Sequence, residues 1–321
     1  MRAWPIVLAL VAGMAQAPPQ SAARVTTSAR ALQPGEVVEF TITTTTPGQS
    51  VQLDVFERAW PAFQVDATTW RALVGIDLDT PPRAYTAVVA VGDGAGQPRA
   101  TKRLAIVAKS FGTRTLTVDD AFVNPPADVA ARIAAESSRL ADLWKREPTP
   151  RAWSEPFAAP VPEPANSAFG KRSVFNGQNR SAHSGADFPS AAGAVVLAPN
   201  AGTVVLAEDL YFSGNTVIVD HGLGLFSTFA HLSEIGVRAG DVVARARPLG
   251  KVGATGRVTG PHLHWAVRLN GARVDPLSLV WVTAKRASVI KPRHDPSRLP
   301  GQRGSGPQPA ASAAGGTTFE Q

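Results

Sequence analysis

The sequence predicts a mainly β protein in which one helix joins two β domains. Three observations indicate this class. Short alternating or apolar runs bounded by turn residues fill residues 24–110, one stretch with helical periodicity follows, and strand-like runs separated by glycines resume near residue 167. The 321 residues suffice for two domains, and a hydrophobic content of 44% suffices for ordinary cores.

The first domain, residues 24–117, is predicted to be a β-sandwich. Runs such as 37–42, 51–56 and 85–91 have the composition of strands, and Pro-Gly pairs such as the one at 34–35 separate them. The domain contains no histidine, and its sequence shows no combination of residues that is typical of a catalytic site. We therefore expect it to have a structural or positioning role.

A helix and an extended linker are predicted for residues 118–164. Asn124 can cap a helix whose first turn tolerates the two prolines that follow, and apolar residues recur at helical spacing as far as Lys145. This apolar stripe favours docking on a neighbouring domain. Six prolines between residues 148 and 164 then indicate an extended linker.

The second domain, residues 165–282, is predicted to be a compact antiparallel β domain. Glycines recur between its strand-like runs, and it has little helical signal. Residues 283–321 are rich in Lys, Arg, Pro, Gly, Ser and Ala without any period, so we expect a disordered basic tail.

Residues 1–23 have the pattern of a secretory signal peptide, since Arg2 is followed by an apolar run and then by small residues. The apolar run is too short for a stable membrane span, so we expect no integral span in the mature chain. The sequence has no cysteine, which excludes disulfides and thiolate metal sites. An exported chain of this kind suits a bacterial envelope.

The formal net charge of +7 does not by itself indicate nucleic-acid binding. The basic residues are scattered among 25 acidic ones, and part of the excess lies in the predicted tail. We therefore expect no nucleic-acid partner. A basic exported protein can equally associate with anionic envelope polymers.

Five of the six histidines lie between residues 183 and 264. His183 precedes Asp187 by four residues, and His262 and His264 lie two apart on a predicted strand, where alternation puts both rings on one face. Three ligands of nitrogen, oxygen and nitrogen type suit Zn²⁺ and leave a fourth position for water, as in catalytic sites. Two adjacent imidazoles buried without a metal or a partner would be costly.

Four segments in combination resemble the lysostaphin-type, or LytM-domain, zinc endopeptidases of bacterial cell walls. They are residues 176–188, 219–222, 229–232 and 253–265. The resemblance implies that residues 165–282 form a zinc peptidase domain of the LytM, or duplicated hybrid motif, type. More loosely, the order of signal, β domain, helix and catalytic domain is similar to that of periplasmic members with an N-terminal immunoglobulin-like domain.

The same resemblance implies that His183, Asp187 and His264 bind Zn²⁺, while His231 and His262 flank the metal-bound water and the substrate carbonyl. One free imidazole can accept the proton of the water, and the other can stabilise the developing oxyanion or protonate the leaving amine. The sequence leaves open which of the two does which. His221 is expected to be structural, because three ligands are already assigned.

Asn176 and Arg180 precede the first ligand and could line the substrate groove. Arg180 could form two parallel hydrogen bonds with a carboxylate of a stem peptide. The chain lacks a His-Glu-x-x-His helix, and Phe229 stands where family members often have tyrosine. Three acidic residues of the second domain are expected in solvent-facing turns without a catalytic role: Glu208, Asp209 and Glu234.

We therefore expect a secreted or periplasmic zinc endopeptidase that hydrolyses peptide bonds in peptidoglycan stems or cross-links. The alternative is a non-enzymatic regulator of the same fold that binds cell wall or activates an amidase. Degenerate regulators of the family typically have lost ligands, whereas this sequence keeps all five positions, which favours the enzyme. Zinc content distinguishes the two.

Overall fold

A computed structural model of the chain describes residues 23–93, 99–166 and 169–290, with only the backbone for 286–290. The predicted signal peptide and residues 291–321 of the predicted tail lie outside these ranges. Among the described helices, none is long and apolar enough to cross a membrane.

Eight strands form the N-terminal domain. They are β1 (Ala23–Ala29), β2 (Val37–Thr44), β3 (Val51–Val55), β4 (Arg58–Trp60), β5 (Ala62–Gln64), β6 (Thr69–Gly75), β7 (Ala84–Val91) and β8 (Arg99–Ala105). One antiparallel sheet has the order β1-β2-β6-β5, and the other has the order β4-β3-β7-β8.

The two sheets of this domain bury one common core. Phe40 and Ile42 of β2 and Leu53 and Val89 from the other sheet are completely buried. Full burial of such side chains contributes about 1.5–3 kcal/mol each relative to exposure. The predicted β-sandwich is therefore confirmed.

The second domain contains twelve strands. They are β9 (Thr113–Leu116), β10 (Arg172–Phe175), β11 (Gln178–Ala182), β12 (Gly185–Phe188), β13 (Val195–Leu197), β14 (Gly202–Leu210), β15 (Gly214–Asp220), β16 (Leu225–Ile235), β17 (Val242–Val243), β18 (Pro248–Val252), β19 (Leu263–Leu269) and β20 (Ala272–Val274). Nine of them form a sheet whose main path is β12-β19-β16-β15-β14-β17, with β13, β18 and β20 off this path.

The remaining three strands form a small sheet of order β11-β10-β9. Strand β9 pairs with β10 in parallel, whereas the named pairs of the nine-stranded sheet are antiparallel as predicted. The predicted sandwich domain of residues 24–117 includes β9, but β9 pairs with the second domain. That boundary was placed too late, since the sandwich ends before Thr113.

Helix α1 (Ala127–Leu143) docks on the second domain, as its apolar stripe predicts. Leu143 is 4% exposed and belongs to a buried cluster with four residues of the nine-stranded sheet. These are Leu206, Leu210, Ile218 and Phe226. Trp144 packs edge-on against Phe226, with ring centroids 5.5 Å apart.

The start of α1 differs from the prediction. Pro126 occupies the N-cap position and makes no side-chain capping bond. The Asn124 amide instead donates to the Asp120 carboxylate at 2.9 Å. The proposed cap was therefore wrong, because Asn124 precedes the helix by too many residues to reach its first free N–H groups.

The proline-rich segment 148–164 has no helix or strand, as expected of a linker, but it is packed into the protein. Trp153, Phe157 and Val161 are nearly completely buried in a core that both domains share. Trp153 packs edge-on against Phe63 of the sandwich, with ring centroids 5.5 Å apart. The segment therefore joins the two domains into one hydrophobic core.

Direct contacts also hold the sandwich against β20. A Cβ atom on Gly75 would lie 2.8 Å from Val274 Cγ1, so β6 approaches β20 more closely than a side chain allows. Arg273 Nη2 lies 2.6 Å from Asp77 Oδ1. Helix α2 (Pro276–Ile290) follows β20 and continues past residue 282, so the predicted disorder was wrong for the first residues of that tail.

Candidate metal centre

The pairing of β12 with β19 brings Asp187 and His264 together. The two residues are direct partners across this antiparallel pair, and directly opposite residues present their side chains on the same face. Gly185 makes the close approach possible, because a Cβ atom there would lie 2.6 Å from His264 Cε1. His183 lies in the short connection between β11 and β12.

Three potential ligand atoms converge at this point. His183 Nε2 and His264 Nδ1 each lie 2.9 Å from Asp187 Oδ1, and the two nitrogens are 3.0 Å apart. Donors at zinc-ligand distance from one tetrahedral ion lie roughly 3.3 Å from one another. The spacing and the chemistry of the donor set therefore fit a zinc ion, and the structure brings together the predicted ligands.

His231 is positioned by an irregularity in β16. Its backbone has a φ of +64°, and the register between β15 and β16 shifts at this point. Such bulges re-aim side chains next to active sites. His231 Nδ1 donates to the Thr255 carbonyl oxygen at 2.9 Å, which leaves Nε2 as an acceptor.

His262 has the same hydrogen-bond arrangement. Its Nδ1 lies 2.9 Å from the Gly260 carbonyl oxygen, and a carbonyl can only accept, so this nitrogen carries the proton. His262 Nε2 lies 3.8 Å from Asp187 Oδ1, and the His231 and His262 rings have centroids 5.0 Å apart. Two imidazoles with acceptor nitrogens therefore flank the three converging atoms.

Burial and neighbouring charges set the protonation of the cluster. Burial alone would raise the pKa of Asp187, but hydrogen bonds from His183 and His264 outweigh it and lower that pKa far below its usual range. Burial, followed by the nearby His264, lowers the pKa of His231 to about 3. With these pKa values Asp187 is ionised and His231 is neutral at pH 7.

Sequence reasoning missed Arg114. Its Nη1 lies 3.4 Å from Asp187 Oδ2, and its Nε donates to Ser173 Oγ at 3.0 Å. Arg114 is 73 residues from Asp187 along the chain and is brought to the site by the parallel pairing of β9 with β10. No local motif marks it.

The cluster lies in an open pocket of about 500 Å³. Residues of β9, β10, the 180–184 segment and the 257–264 segment line it, and of the described sandwich residues none does. Arg180 is one of the residues that line this pocket. Asn176 lies outside the lining and instead makes two hydrogen bonds with the backbone of Val118.

The remaining predictions concern residues outside the cluster. His221 is completely buried, and its ring nitrogens contact the Ala201 carbonyl and the Ser227 hydroxyl, as a structural residue would. The predicted turn positions of three acidic residues were wrong, because they lie in strands and pair with basic residues. The pairs are Glu208 with Arg139, Asp209 with Arg132, and Glu234 with Lys251.

Comparison with known proteins points to one family. The sequence profile of peptidase family M23 matches residues 181–276. A peptidoglycan DD-endopeptidase of Vibrio cholerae, ShyA, is 38% identical over 95 residues, which are 30% of this chain and 22% of that protein. A DD-carboxypeptidase/endopeptidase of Neisseria meningitidis, Mpg, is 38% identical over 114 residues, which are 34% of this chain and 25% of that protein.

A solved structure that is similar to this chain covers most of its length. It is the crystal structure of a Pseudomonas aeruginosa protein described as a candidate M23 peptidase. The two are 33% identical, the TM-score is 0.60, and the match covers 78% of this chain and 95% of the other. By contrast, the chain spans only about a quarter or less of the curated relatives that it matches.

Proposed function

We propose that this chain, which belongs to peptidase family M23, is a zinc-dependent endopeptidase that hydrolyses peptide bonds in peptidoglycan stems or cross-links. The observation that carries the proposal is the convergence of His183 Nε2, Asp187 Oδ1 and His264 Nδ1 beside two histidines with acceptor nitrogens. The names of the relatives in Vibrio and Neisseria support the substrate class.

His183, Asp187 and His264 are the proposed zinc ligands. A zinc ion bound there would lower the pKa of a water molecule to about 7 and polarise the carbonyl oxygen of a substrate. As ligands, Asp187 would supply one negative charge, and His183 and His264 would each supply the lone pair of a ring nitrogen.

His231 and His262 are the proposed catalytic residues. The backbone carbonyls of Thr255 and Gly260 hold the proton of each ring on Nδ1, so each Nε2 is available to a reacting group. One ring would accept a proton from the attacking water on its Nε2. The other ring, in the form that is protonated on Nε2, would donate a hydrogen bond to the developing oxyanion or hand that proton to the leaving amine.

Arg180 is proposed to contact the substrate, because it lines the pocket beside the histidines. Asn176 is proposed to act indirectly, since its two bonds to Val118 fix one edge of the pocket wall. A peptidoglycan substrate places the working protein in the cell envelope or periplasm, which agrees with the predicted signal peptide.

Purified sacculi test the proposal directly. The zinc-loaded full chain is expected to release soluble peptide fragments, and a chelator is expected to stop their release. Mass spectrometry of the fragments identifies the bond that is cut. Intact sacculi in the presence of stoichiometric zinc would contradict the proposal and favour the non-enzymatic regulator.

A further inference from the structure

The pocket around the candidate metal centre has an excess of positive charge. Three arginines line it, namely Arg114, Arg180 and Arg257, and Asp187 is the single acidic residue among its described lining residues. Arg114 already contacts Asp187. Within the described ranges, neither Arg180 nor Arg257 has a carboxylate oxygen within ion-pair distance. Two cations are therefore left without an anion.

Aromatic rings hold the guanidinium of Arg257 in place. Its central carbon lies 4.9 Å from the ring centroid of Phe175 and 4.6 Å from that of Phe212. Stacking of this kind contacts the faces of a guanidinium and leaves its N–H edges free for hydrogen bonds. The backbone N–H of Arg257 also donates to the Phe212 carbonyl at 2.8 Å, which fixes the start of the side chain.

Arg180 is held in place by hydrogen bonds that use only part of its donor set. Its Nη2 donates to the Val123 carbonyl oxygen and to Gln178 Oε1. A guanidinium has five N–H groups, and the Nε of Arg180 is buried without a partner. The side chain is therefore oriented, and its Nη1 makes no hydrogen bond among the described residues.

The environment of Arg257 favours an anionic ligand. Burial and, after it, the positive charges of Arg180 and Arg114 lower the pKa of Arg257. The cationic form of this side chain is therefore less stable in the folded protein than in water. A bound anion would offset this loss of stability, because opposite charges attract more strongly in a partly desolvated pocket than in water. Guanidinium groups bind carboxylates with two parallel hydrogen bonds, which gives geometric selectivity.

We propose that Arg180 and Arg257 form a subsite for a free carboxylate of the substrate peptide, located beside the His183, Asp187 and His264 cluster. The proposal rests on the proposed function and names its substrate class. The enzyme then selects stem peptides with a free carboxylate next to the scissile bond over uncharged bridges such as oligoglycine. An uncharged bridge leaves both guanidinium groups unpaired.

Binding to the metal-free protein tests the subsite without any turnover. The full chain is dialysed free of metal and titrated with N-acetyl-D-alanyl-D-alanine or with its C-terminal amide, and binding is followed by NMR. The free carboxylate is expected to bind roughly ten- to a hundredfold more tightly than the amide. Equal affinity, or no measurable binding of either dipeptide, would overturn the proposal.

Variants assign the effect to the two arginines. Arg257→Gln and Arg180→Gln are each expected to remove most of the preference for the carboxylate, whereas Arg257→Lys should retain part of it. Arg172→Gln removes one positive charge from an exposed position outside the pocket lining and should leave the preference unchanged. Circular dichroism checks that each variant is folded. An equal loss in Arg172→Gln would indicate a general charge effect and contradict the subsite.

Kinetics of the zinc-loaded protein separate this proposal from the proposed function. Matched cross-linked peptides carry either a carboxylate or a carboxamide next to the scissile bond. The carboxylate peptide is expected to have the higher kcat/KM, mainly through KM, and Arg257→Gln should lower kcat/KM for that peptide alone. If both peptides are cut equally, the subsite is wrong and the peptidase stands. If neither is cut, the proposed function fails.

Discussion

Arg114 Nη1 lies 3.4 Å from Oδ2 of Asp187, while the other oxygen, Oδ1, lies 2.9 Å from both His183 and His264. The two oxygens of one carboxylate therefore have separate partners. Arg114, from the segment that follows the sandwich, orients the carboxylate through Oδ2. His183 and His264 both contact Oδ1. Groups that orient ligands in this way tune metal affinity without touching the metal.

Replacement of Arg114 by alanine is expected to weaken zinc binding by roughly 10–100-fold, because Asp187 loses the group that orients it. Competition with a chromogenic chelator measures the affinity. Arg172→Ala is the matched control, since Arg172 lies on the neighbouring strand and is exposed. Unchanged affinity in Arg114→Ala would show that the 3.4 Å contact has no influence on the ligand.

Replacement of His231 and His183 separates catalysis from metal binding. His231→Asn should retain zinc and lose turnover, because His231 lies outside the three converging atoms, and asparagine tolerates its positive φ. His183→Asn should lose both. Zinc is measured by elemental analysis and turnover by peptide release from sacculi. Equal zinc loss in the two variants would contradict this division of roles.

Truncation of Leu143 to alanine should destabilise the protein by roughly 2–5 kcal/mol, since this residue fills the contact between α1 and the nine-stranded sheet. Urea unfolding measures the free energy. Ser137→Ala on the exposed side of the same helix is the control and should change it little. Equal changes in the free energy of unfolding for the two substitutions would mean that packing of Leu143 against the sheet does not stabilise the protein.

The pair between Asp77 and Arg273 should make stability depend on pH. Burial would raise the pKa of Asp77, but hydrogen bonds from Arg273 outweigh it, so the folded-state pKa is lowered. A carboxylate with a lowered pKa stabilises the fold above its unfolded pKa of about 3.9 and loses this contribution as the pH falls towards its folded pKa. The contribution is therefore complete at neutral pH.

Asp77→Asn should accordingly lower the free energy of unfolding by about 1–3 kcal/mol at pH 7, with a smaller difference from the unmodified chain below about pH 4. Metal-free protein is used at every pH, so that loss of zinc does not contribute. Asp93→Asn, an exposed substitution in the sandwich, is the control. A difference between Asp77→Asn and the unmodified chain that is constant with pH would contradict the assigned role of the ion pair.

The candidate ligands could be predicted because two short motifs mark them and the family resemblance implies which of their residues bind the metal. The His-x-His motif supplied His262 and His264, and the His183 motif supplied Asp187. In the structure His264 lies on β19, whereas His262 directly precedes this strand, which begins at Leu263. The β-sandwich and the docked helix follow equally from periodicity. These features depend on residues that lie near one another in the chain or on a pattern repeated within one element.

Arg114 and Arg257 could not be predicted, because their contacts arise from pairing and packing between distant segments. The sequence of β9, Thr-Arg-Thr-Leu, alternates like any strand of the sandwich, and alternation alone does not specify which sheet a strand joins. For the same reason the sandwich domain was predicted to extend to residue 117, although β9 pairs with β10 of the second domain. The aromatic contacts of Arg257 likewise come from Phe175 of β10 and Phe212 of the turn between β14 and β15.

The parallel pairing of β9 with β10 determines where the chain can be cut. A fragment that begins at residue 165 follows the domain boundary suggested by the motifs, yet it lacks Trp153, Phe157 and Val161 from its core and leaves the edge of β10 bare. It also lacks Arg114. A recombinant fragment intended for inhibitor screening therefore has to begin upstream of Thr113. A catalytic rate measured on the fragment that begins at residue 165 would be that of a site without Arg114 and without part of its supporting core.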